Sequence, residues 1–185
     1  MPSVPPFDDA KRSVEIKLSR ALGGACTVEV SHAFDEALRD TILAIDDEKF
    51  REELRYTRRE LEERFRRPGF TCFLLVLEGR PIAYDYGYDD EEPGVFYSDS
   101  AATLIERRGV GSTLSALEAM YCYGHGYGRV KLSTEERDEV GRALRQYWER
   151  FGFRVVSVDE DDNIVMVMEL NPEVVAGLHG RYIAG

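Results

Sequence analysis

Two closely spaced glycines, Gly109 and Gly111, stand where a strand-like segment meets a helix-like segment. Before them, residues 95–102 alternate as a strand does, which would place Tyr97, Asp99 and Ala101 on one face and Phe96, Ser98 and Ser100 on the other. After them, apolar residues recur at spacings of four, three and four: Val110, Leu114, Leu117 and Tyr121. The glycines are therefore predicted to form a turn from a strand into a helix with one buried face.

This turn has the features of a phosphate cradle. Glycine lets the backbone approach a ligand closely, and the first helical turn, from Val110 through Ser112, presents unpaired N–H groups to an anion. Arg107 and Arg108 would add positive charge. A tight turn without a ligand is the alternative. A dinucleotide-binding turn needs a further glycine, which the sequence lacks after Gly111, and a P-loop needs Gly-Lys-Ser or Gly-Lys-Thr.

Composition limits the class of protein. With 185 residues, 43% hydrophobic and 32% charged, the chain is expected to form one domain with a substantial core. It has no apolar run of roughly 20 residues and no apolar leader at Met1, so no membrane interaction and a cytoplasmic location are expected. Among three cysteines and three histidines, only Cys122 and His125 have a ligand-like C-x-x-H spacing; two ligands do not make a zinc site, and no metal is expected.

The net charge of −11 argues against a nucleic-acid partner and favours a cationic one. Acidic residues cluster at 46–48, 89–92 and 159–162, and such runs are usually solvated loops. The run at 89–92 follows a strand rich in tyrosine, so it could lie near a cleft and attract an amine or a basic peptide.

The chain pattern predicts an α/β (α+β) domain with the element order β-α-α-β-β-β-α-β-α-β-β. Residues 1–25 are interpreted as an N-terminal extension with one loosely held strand at Val14, Ile16 and Leu18, and residues 171–185 as a C-terminal extension. The domain itself would span residues 26–170.

A second motif, Tyr147-Trp-Glu-Arg-Phe-Gly-Phe153, ends a helix predicted from about Asp138 to Phe151. Its predicted core stripe consists of Val140, Ala143, Leu144, Tyr147 and Phe151. Trp148 lies at the edge of the buried face, where it would either line a cleft or fill space in the core.

Together, Glu106-Arg-Arg-Gly-Val-Gly111 and the motif at 147–153 resemble the GNAT superfamily of N-acetyltransferases over roughly residues 26–170. The resemblance implies a mixed, mostly antiparallel sheet flanked by helices. It also implies acetyl-CoA as cosubstrate, with its pyrophosphate held at Arg107, Arg108, Gly109, Val110, Gly111 and Ser112. The pantetheine arm would pass Ser100 and Ala101, and Trp148 would close the thioester end of the site.

The resemblance further implies a carboxylate base that takes a proton from the attacking amine. Glu136 is favoured slightly over Glu135, and Asp99 is the next candidate; a solvated surface carboxylate is the alternative for each. Trp148 stands where the family often has a tyrosine acid, and an indole N–H does not ionise usefully. Tyr147, or one of the three tyrosines at 84, 86 and 88, could replace that acid.

The sequence departs from the family pattern at three positions. Glu106 stands where the family prefers Gln or Arg before the glycines. Gly141 stands where an asparagine often opens the last helix, and Trp148 stands where the tyrosine is frequent. The implied function is transfer of an acetyl group to a primary amine, either a small cationic molecule or a peptide or protein amine, by direct attack. A non-catalytic acyl-CoA-binding or protein-interaction module is the alternative. Whether the protein forms a homodimer is left open.

Overall fold

The computed structural model describes all 185 residues and contains one sheet with helices on both faces. The helices are α1 (Phe7–Leu22), α2 (Glu36–Lys49), α3 (Arg58–Phe65), α4 (Val110–Gly124), α5 (Leu144–Phe151) and α6 (Pro172–Leu178). The strands are β1 (Cys26–Ser31), β2 (Thr71–Leu77), β3 (Arg80–Asp89), β4 (Val95–Thr103), β5 (Arg129–Thr134), β6 (Arg154–Val158) and β7 (Ile164–Glu169). A short 3₁₀ turn (Glu52–Leu54) precedes α3, and a π-helical turn (His179–Ile183) follows α6.

The sheet order is β1-β2-β3-β4-β5-β7-β6, and every pair is antiparallel except β4 and β5. That parallel pair is short: it joins only Val95–Tyr97 to Arg129–Lys131, after which the two strands diverge. The predicted α/β class, the mostly antiparallel sheet and the core element order are confirmed, with α1 and α6 as additional helices. The divergence leaves the second half of β4 without a neighbour on its β5 side.

A β-bulge at Asp99 changes the two faces of β4. Tyr86 pairs with Ser100 while Gly87 pairs with Ser98, so Asp99 is an extra residue in the ladder. The predicted strict alternation of side chains is therefore wrong at this point. Asp99 and Ser100 both contact tyrosines on the face that α2 and α3 cover.

The sheet has a hydrophobic core on each face. The larger core lies under α1, α4 and α6, and the smaller one, which includes Tyr84 and Tyr86, lies under α2 and α3. The predicted α4 stripe is confirmed, since Val110, Leu114 and Leu117 are all buried. No helix is both long and apolar enough to cross a membrane.

The N-terminal segment is a helix rather than the loosely held strand expected from the sequence. Ala10, Val14 and Leu18 recur every four residues and are fully buried in the larger core, whereas Ile16 is 49% exposed. Residues of α6 and of the turn after it, such as Val175 and Ile183, join the same core. The division of the chain at residues 25 and 170 stays a prediction, although both terminal segments pack on that core.

We expect Leu18→Ala to lower the free energy of unfolding by about 2–5 kcal/mol, because it opens a cavity in a fully buried position. Ile16→Ala, two residues away on the exposed face of α1, should change it by less than about 1 kcal/mol. Urea denaturation of both variants measures the difference. Equal effects would show that α1 is not part of the cooperative core.

The helix predicted from about Asp138 begins only at Leu144. The Asp138 carboxylate accepts hydrogen bonds from the main-chain N–H groups of Val140 and Arg142, at 3.1 and 2.8 Å, and Gly141 has a φ of +81°. These contacts stabilise a loop in place of the first helical turns. Val140 is 75% exposed, so its predicted place in the core stripe is wrong, whereas Phe151 is buried as predicted.

Candidate active site

The divergence of β4 and β5 opens two connected clefts. We call the first the amide cleft: it has a volume of about 600 Å³ and is bounded by the N-terminus of α4 and by Tyr147 and Trp148 of α5. The second, the acidic cleft, has a volume of about 620 Å³ and lies between α2, the bulge of β4 and the residues after β5. Both are lined by Lys49, Phe50, Ala101, Glu106, Asp138, Arg142, Leu144 and Trp148.

Unpaired main-chain amides line the amide cleft. The N–H groups from Arg107 through Ser112 donate to no other group of the protein, and no side chain caps α4 at Gly109. A Cβ atom added at Gly109 or Gly111 would have no atom within 4 Å, so both glycines face open space. Gly109 has a φ of +77°, which favours glycine. This turn can therefore surround an anion with main-chain donors.

The three charged residues before Gly109 differ in their position relative to the amide cleft. Arg107 lines the amide cleft, whereas Arg108 lies outside its lining and donates to the carbonyl of Ala21 at 3.4 Å. Glu106 forms ion pairs with Lys49 and with Arg142, which lower the pKa of its carboxyl group. These two cations compensate the glutamate that stands at the edge of the amide-rich turn.

Two aromatic residues of α5 form the opposite wall. Tyr147 and Ser112 both line the amide cleft, and burial raises the pKa of the Tyr147 hydroxyl to about 12, so it carries its proton at neutral pH. Trp148 lines both clefts and packs edge-on against Phe151 and Phe153, with ring centroids 5.8 and 5.4 Å away. Trp148 therefore both lines the cleft and packs in the core.

The bulged strand provides the floor between the clefts. Ala101 lines both of them, and Ser100 lines the acidic cleft, where its hydroxyl lies 3.1 Å from that of Tyr84. Because β4 has no partner beyond Tyr97 on the β5 side, alternate main-chain groups of this segment are free to bind a ligand. The two predicted pantetheine residues thus lie where the strands separate.

Acidic side chains dominate the lining of the acidic cleft. It contains seven carboxyl groups, those of Asp46, Asp85, Asp99, Glu106, Glu135, Asp138 and Glu139. Its two cations, Lys49 and Arg142, both contact Glu106. No group of three or more such side chains has the arrangement of a metal site. Asp99, Asp138 and Glu139 also pair with arginines, so the carboxyl groups of the lining without an ion pair are those of Asp46, Asp85 and Glu135. Acidic groups thus outnumber cations around this cleft, which favours a cationic ligand.

Asp99 lies at the base of the acidic cleft and is held by three donors. Its carboxylate accepts hydrogen bonds from the hydroxyls of Tyr56 and Tyr88, at 2.8 and 2.7 Å, and from Nε of Arg64 at 2.9 Å. Three of the roughly four acceptor positions of a carboxylate are thus already used. This makes Asp99 a poor candidate for taking a proton from a substrate.

Asp46 is a cleft residue that sequence reasoning missed, because the acidic run at 46–48 was interpreted as a solvated loop. It lies instead in the last turn of α2 and is 3% exposed. Burial raises the pKa of its carboxyl group to about 6, while a hydrogen bond from the Tyr84 hydroxyl opposes that shift. Apolar residues at Ile42 and Ile45 on the same helix were the available signal that this stretch is buried.

The two glutamates after β5 point to different places. Glu135 lines the acidic cleft and forms no ion pair. The slightly favoured Glu136 lies outside both clefts and pairs with Arg145 at 3.5 Å. The structure therefore brings Glu135, and not Glu136, to the cleft that also holds Asp99.

The acidic loop at 89–92 does not lie beside a cleft. Glu92 and Asp90 pair with Arg129 and Lys131, at 2.6 and 3.4 Å, and no residue of the run lines either cleft. The expectation that this loop would attract a ligand is therefore wrong. The negative potential arises instead from residues on α2, on β4 and after β5.

The comparisons with known proteins concern the fold. No family model and no curated protein matches the chain by sequence. Among solved structures it is similar to aminoglycoside 6'-acetyltransferase type Ii, with a TM-score of 0.65, 17% identity, and 78% of this chain and 98% of the other covered. It is also similar to the ribosomal-protein-S18-alanine N-acetyltransferase from Escherichia coli, with a TM-score of 0.63 and 12% identity. That match covers 78% of this chain and 95% of the other.

A putative acetyltransferase of the GNAT family from Desulfovibrio desulfuricans gives a TM-score of 0.64 at 16% identity, with 80% of this chain and all of the other covered. These three proteins thus share an architecture with the chain over nearly their whole lengths. The chain has the fold of the GNAT N-acetyltransferases.

Proposed function

We propose that the protein is an acetyl-CoA-dependent N-acetyltransferase that acts on a cationic primary amine. The observation that carries this proposal is the meeting of two unlike clefts at Ala101, one lined by free main-chain amides and the other by carboxyl groups. An N-acetyltransferase with a cationic acceptor needs this arrangement. The anionic coenzyme and the cationic amine must enter from two sides and meet at the thioester carbonyl.

The amide cleft fits the coenzyme. The main-chain N–H groups of residues 107–112, with the side chain of Arg107, would hold the pyrophosphate. The open edge of β4 near Ser100 and Ala101 would hydrogen-bond the pantetheine arm and orient the carbonyl, as an oxyanion-type donor does. When bound, the coenzyme supplies an acetyl group activated as a thioester.

The acidic cleft fits the acceptor. A primary amine with a pKa near 10.4 is almost wholly charged at pH 7, so a carboxyl-lined cleft attracts it, but it must lose a proton before it attacks. Glu135 is placed to take that proton, since it lines the acidic cleft without an ion-pair partner. A polyamine, an aminated sugar or a basic peptide has the required charge.

Calorimetric titration with acetyl-CoA, followed by measurement of thiol release over an amine panel, tests this function. The panel contains a polyamine, a lysine-rich peptide and a neutral peptide with a free N-terminus. We expect binding, and turnover that is fastest with the multiply charged amines and slows as salt is added. Absence of coenzyme binding would refute the proposal.

A non-catalytic acyl-CoA-binding module is the second candidate. Trp148, which cannot donate a proton usefully to a leaving group, and the ion-paired Glu106 both favour it. Tight coenzyme binding without thiol release for any amine of the panel would support the module instead of the enzyme.

Replacing the base should slow the transfer step. We expect Glu135→Gln to lower kcat by about 10²-fold at neutral pH, in the usual range for loss of a general base, with the coenzyme Kd unchanged. Steady-state kinetics of Glu135→Gln and Glu136→Gln side by side measure it. A larger loss of kcat in Glu136→Gln than in Glu135→Gln would identify Glu136 as the general base.

A further inference from the structure

Two carboxyl groups are buried against each other where the clefts meet, and no cation accompanies them. Asp85 of β3 and Glu118 of α4 are 1% and 3% exposed, and neither forms an ion pair. The two carboxyl groups lie close enough to change each other's pKa, and the Ser98 hydroxyl lies close enough to lower the pKa of both. The hydroxyl of Ser115 also donates to Asp85 at 3.3 Å.

Such a pair must retain a proton. One oxygen of each group, Oδ1 of Asp85 and Oε2 of Glu118, has no hydrogen-bond donor in the protein. Two adjacent negative charges with no cation nearby, and with a serine hydroxyl as their only recorded donor, are very costly in a buried site. Burial raises the pKa of both carboxyl groups, to about 6 for Asp85 and well above the ordinary value for Glu118. Glu118 lowers the pKa of Asp85 while Asp85 raises that of Glu118, so the proton rests mainly on Glu118 and reaches the cleft through Asp85. One proton shared between them satisfies both orphan oxygens.

The other titratable groups around the pair supply no compensating charge. They are Cys72 of β2, Cys122 of α4 and Tyr147 of α5. Burial raises the pKa of both thiols well above their ordinary value and that of the phenol to about 12. All three are therefore neutral at pH 7 and add no charge beside the carboxyl pair.

One member of the pair, Asp85, reaches the wall of the acidic cleft. Asp85 lines the acidic cleft together with Ala101 and Trp148, and it lies opposite Ala101 in the sheet register. Glu118 and Trp148 both line a void of about 10 Å³, close to the volume that one water requires. Trp148 thus borders both this void and the cleft that Asp85 lines, at the position where the family resemblance expects a proton-donating tyrosine.

We propose that Asp85, sharing one proton with Glu118, is the proton donor to the departing sulfur in this protein. This inference rests on the proposed acetyltransferase function. Asp85 lines the acidic cleft next to Ala101 and would give the proton to the sulfur. Glu118, which acts through Asp85, is a positioning residue that keeps the proton in the pair.

The proton balance of the reaction closes with this donor. The amine nitrogen forms a bond to the acetyl carbon, and the bond from that carbon to sulfur breaks, so that the sulfur leaves with the electron pair. Asp85 gives the sulfur the shared proton. The ammonium group first gives one proton to Glu135, which passes it to solvent, and the nitrogen releases a second proton to water as the amide forms. Water returns one proton to the pair, so the net products are the amide, the thiol and one proton in solvent.

Infrared spectroscopy of the ligand-free protein tests whether the pair holds a proton. At neutral pH we expect the carbonyl band of one protonated carboxyl group, absent from the double variant Asp85→Asn/Glu118→Gln. Glu160→Gln, which changes an exposed carboxylate in the β6–β7 turn, should leave the band unchanged. A wild-type protein without the band overturns the proposal whether or not it binds coenzyme.

Kinetics test whether that proton is used. We expect Asp85→Asn to lower kcat at least about tenfold without changing the coenzyme Kd or the KM of the amine, and to abolish the fall of kcat at alkaline pH. Glu118→Gln should move that fall to lower pH, because Asp85 then ionises without its partner. Wild-type kcat and pH profile in Asp85→Asn would overturn the donor role while leaving the acetyltransferase function intact.

The pH dependence of stability provides an independent check of the shared proton. The folded pair keeps a proton that the unfolded chain releases above its ordinary carboxyl pKa, so this contribution to stability is lost as pH rises. Above pH 5 the unfolding constant of the wild type should rise by about tenfold more per pH unit than that of the double variant, until the pair ionises. Parallel pH dependence of the two proteins would contradict the shared proton.

Discussion

Gly111→Leu is expected to weaken acetyl-CoA binding by about a hundredfold or more, or ~2.7 kcal/mol, while the protein stays folded. A Cβ atom at this position meets nothing in the protein, so the new side chain enters the amide cleft rather than the core. It would occupy the space in which main-chain amides approach the diphosphate. Calorimetric titration with acetyl-CoA measures the loss, and the melting temperature measures the fold.

Gly124→Leu is the matched control, because Gly124 lies at the exposed C-terminal end of the same helix and also has open space around it. Both substitutions remove a helical glycine, which favours the helix by up to about 1 kcal/mol. A similar small gain in stability in both variants, with coenzyme affinity lost only in Gly111→Leu, is the expected pattern. Wild-type affinity in Gly111→Leu would show that the coenzyme is not held at this turn.

The part of the fold around the two glycines was predictable because local signals agree there. The alternation of β4, the glycines and the stripe of α4 all specify the same strand–turn–helix unit. At the N-terminus the signals conflicted. Val14, Ile16 and Leu18 alternate like a strand, yet Val14 and Leu18 belong equally to a helical series with Ala10, and burial against α4 selects the helix.

In the segment before α5, local side-chain hydrogen bonds prevent the helix that the apolar spacing predicts. Apolar spacing from Val140 to Phe151 suits a helix, but Asp138 binds the backbone two and four residues ahead, and Gly141 takes a positive φ. A side chain that satisfies main-chain donors in this way competes directly with helix formation. The resulting loop places Glu139 and Val140 on the wall of the acidic cleft.

The acidic cleft itself could not be predicted from any one stretch of sequence. Asp46, Asp99 and Glu135 come from three separated segments, and only the divergence of β4 and β5 brings them to one opening. The bulge at Asp99 leaves no signature in the residue pattern, yet it decides which face carries that carboxylate. The amide-rich turn could be predicted from the family resemblance. The cleft for the acceptor could be recognised only in the three-dimensional structure.

Asp99→Asn is expected to lower the free energy of unfolding by about 3 kcal/mol, the usual cost of removing one partner of a largely buried ion pair. The side chain of Asp99 is 3% exposed, and Arg64, whose guanidinium also lies 3.7 Å from the centre of the Tyr56 ring, would lose its only ion-pair partner. In a chain of this size the melting temperature should fall by roughly 6–12 °C. Thermal unfolding at neutral pH measures this change.

Glu139→Gln is the matched control, because it removes the same charge from the wall of the same cleft but breaks an exposed pair, 2.9 Å from Arg51. Its cost should stay below about 1 kcal/mol, as for other surface ion pairs. Near-wild-type stability of Asp99→Asn together with a collapse of kcat would reverse the interpretation and identify Asp99 as the base. A large loss of stability with acetyl transfer retained after refolding in the cold would instead establish that Asp99 holds Tyr56, Arg64 and Tyr88 around the acceptor.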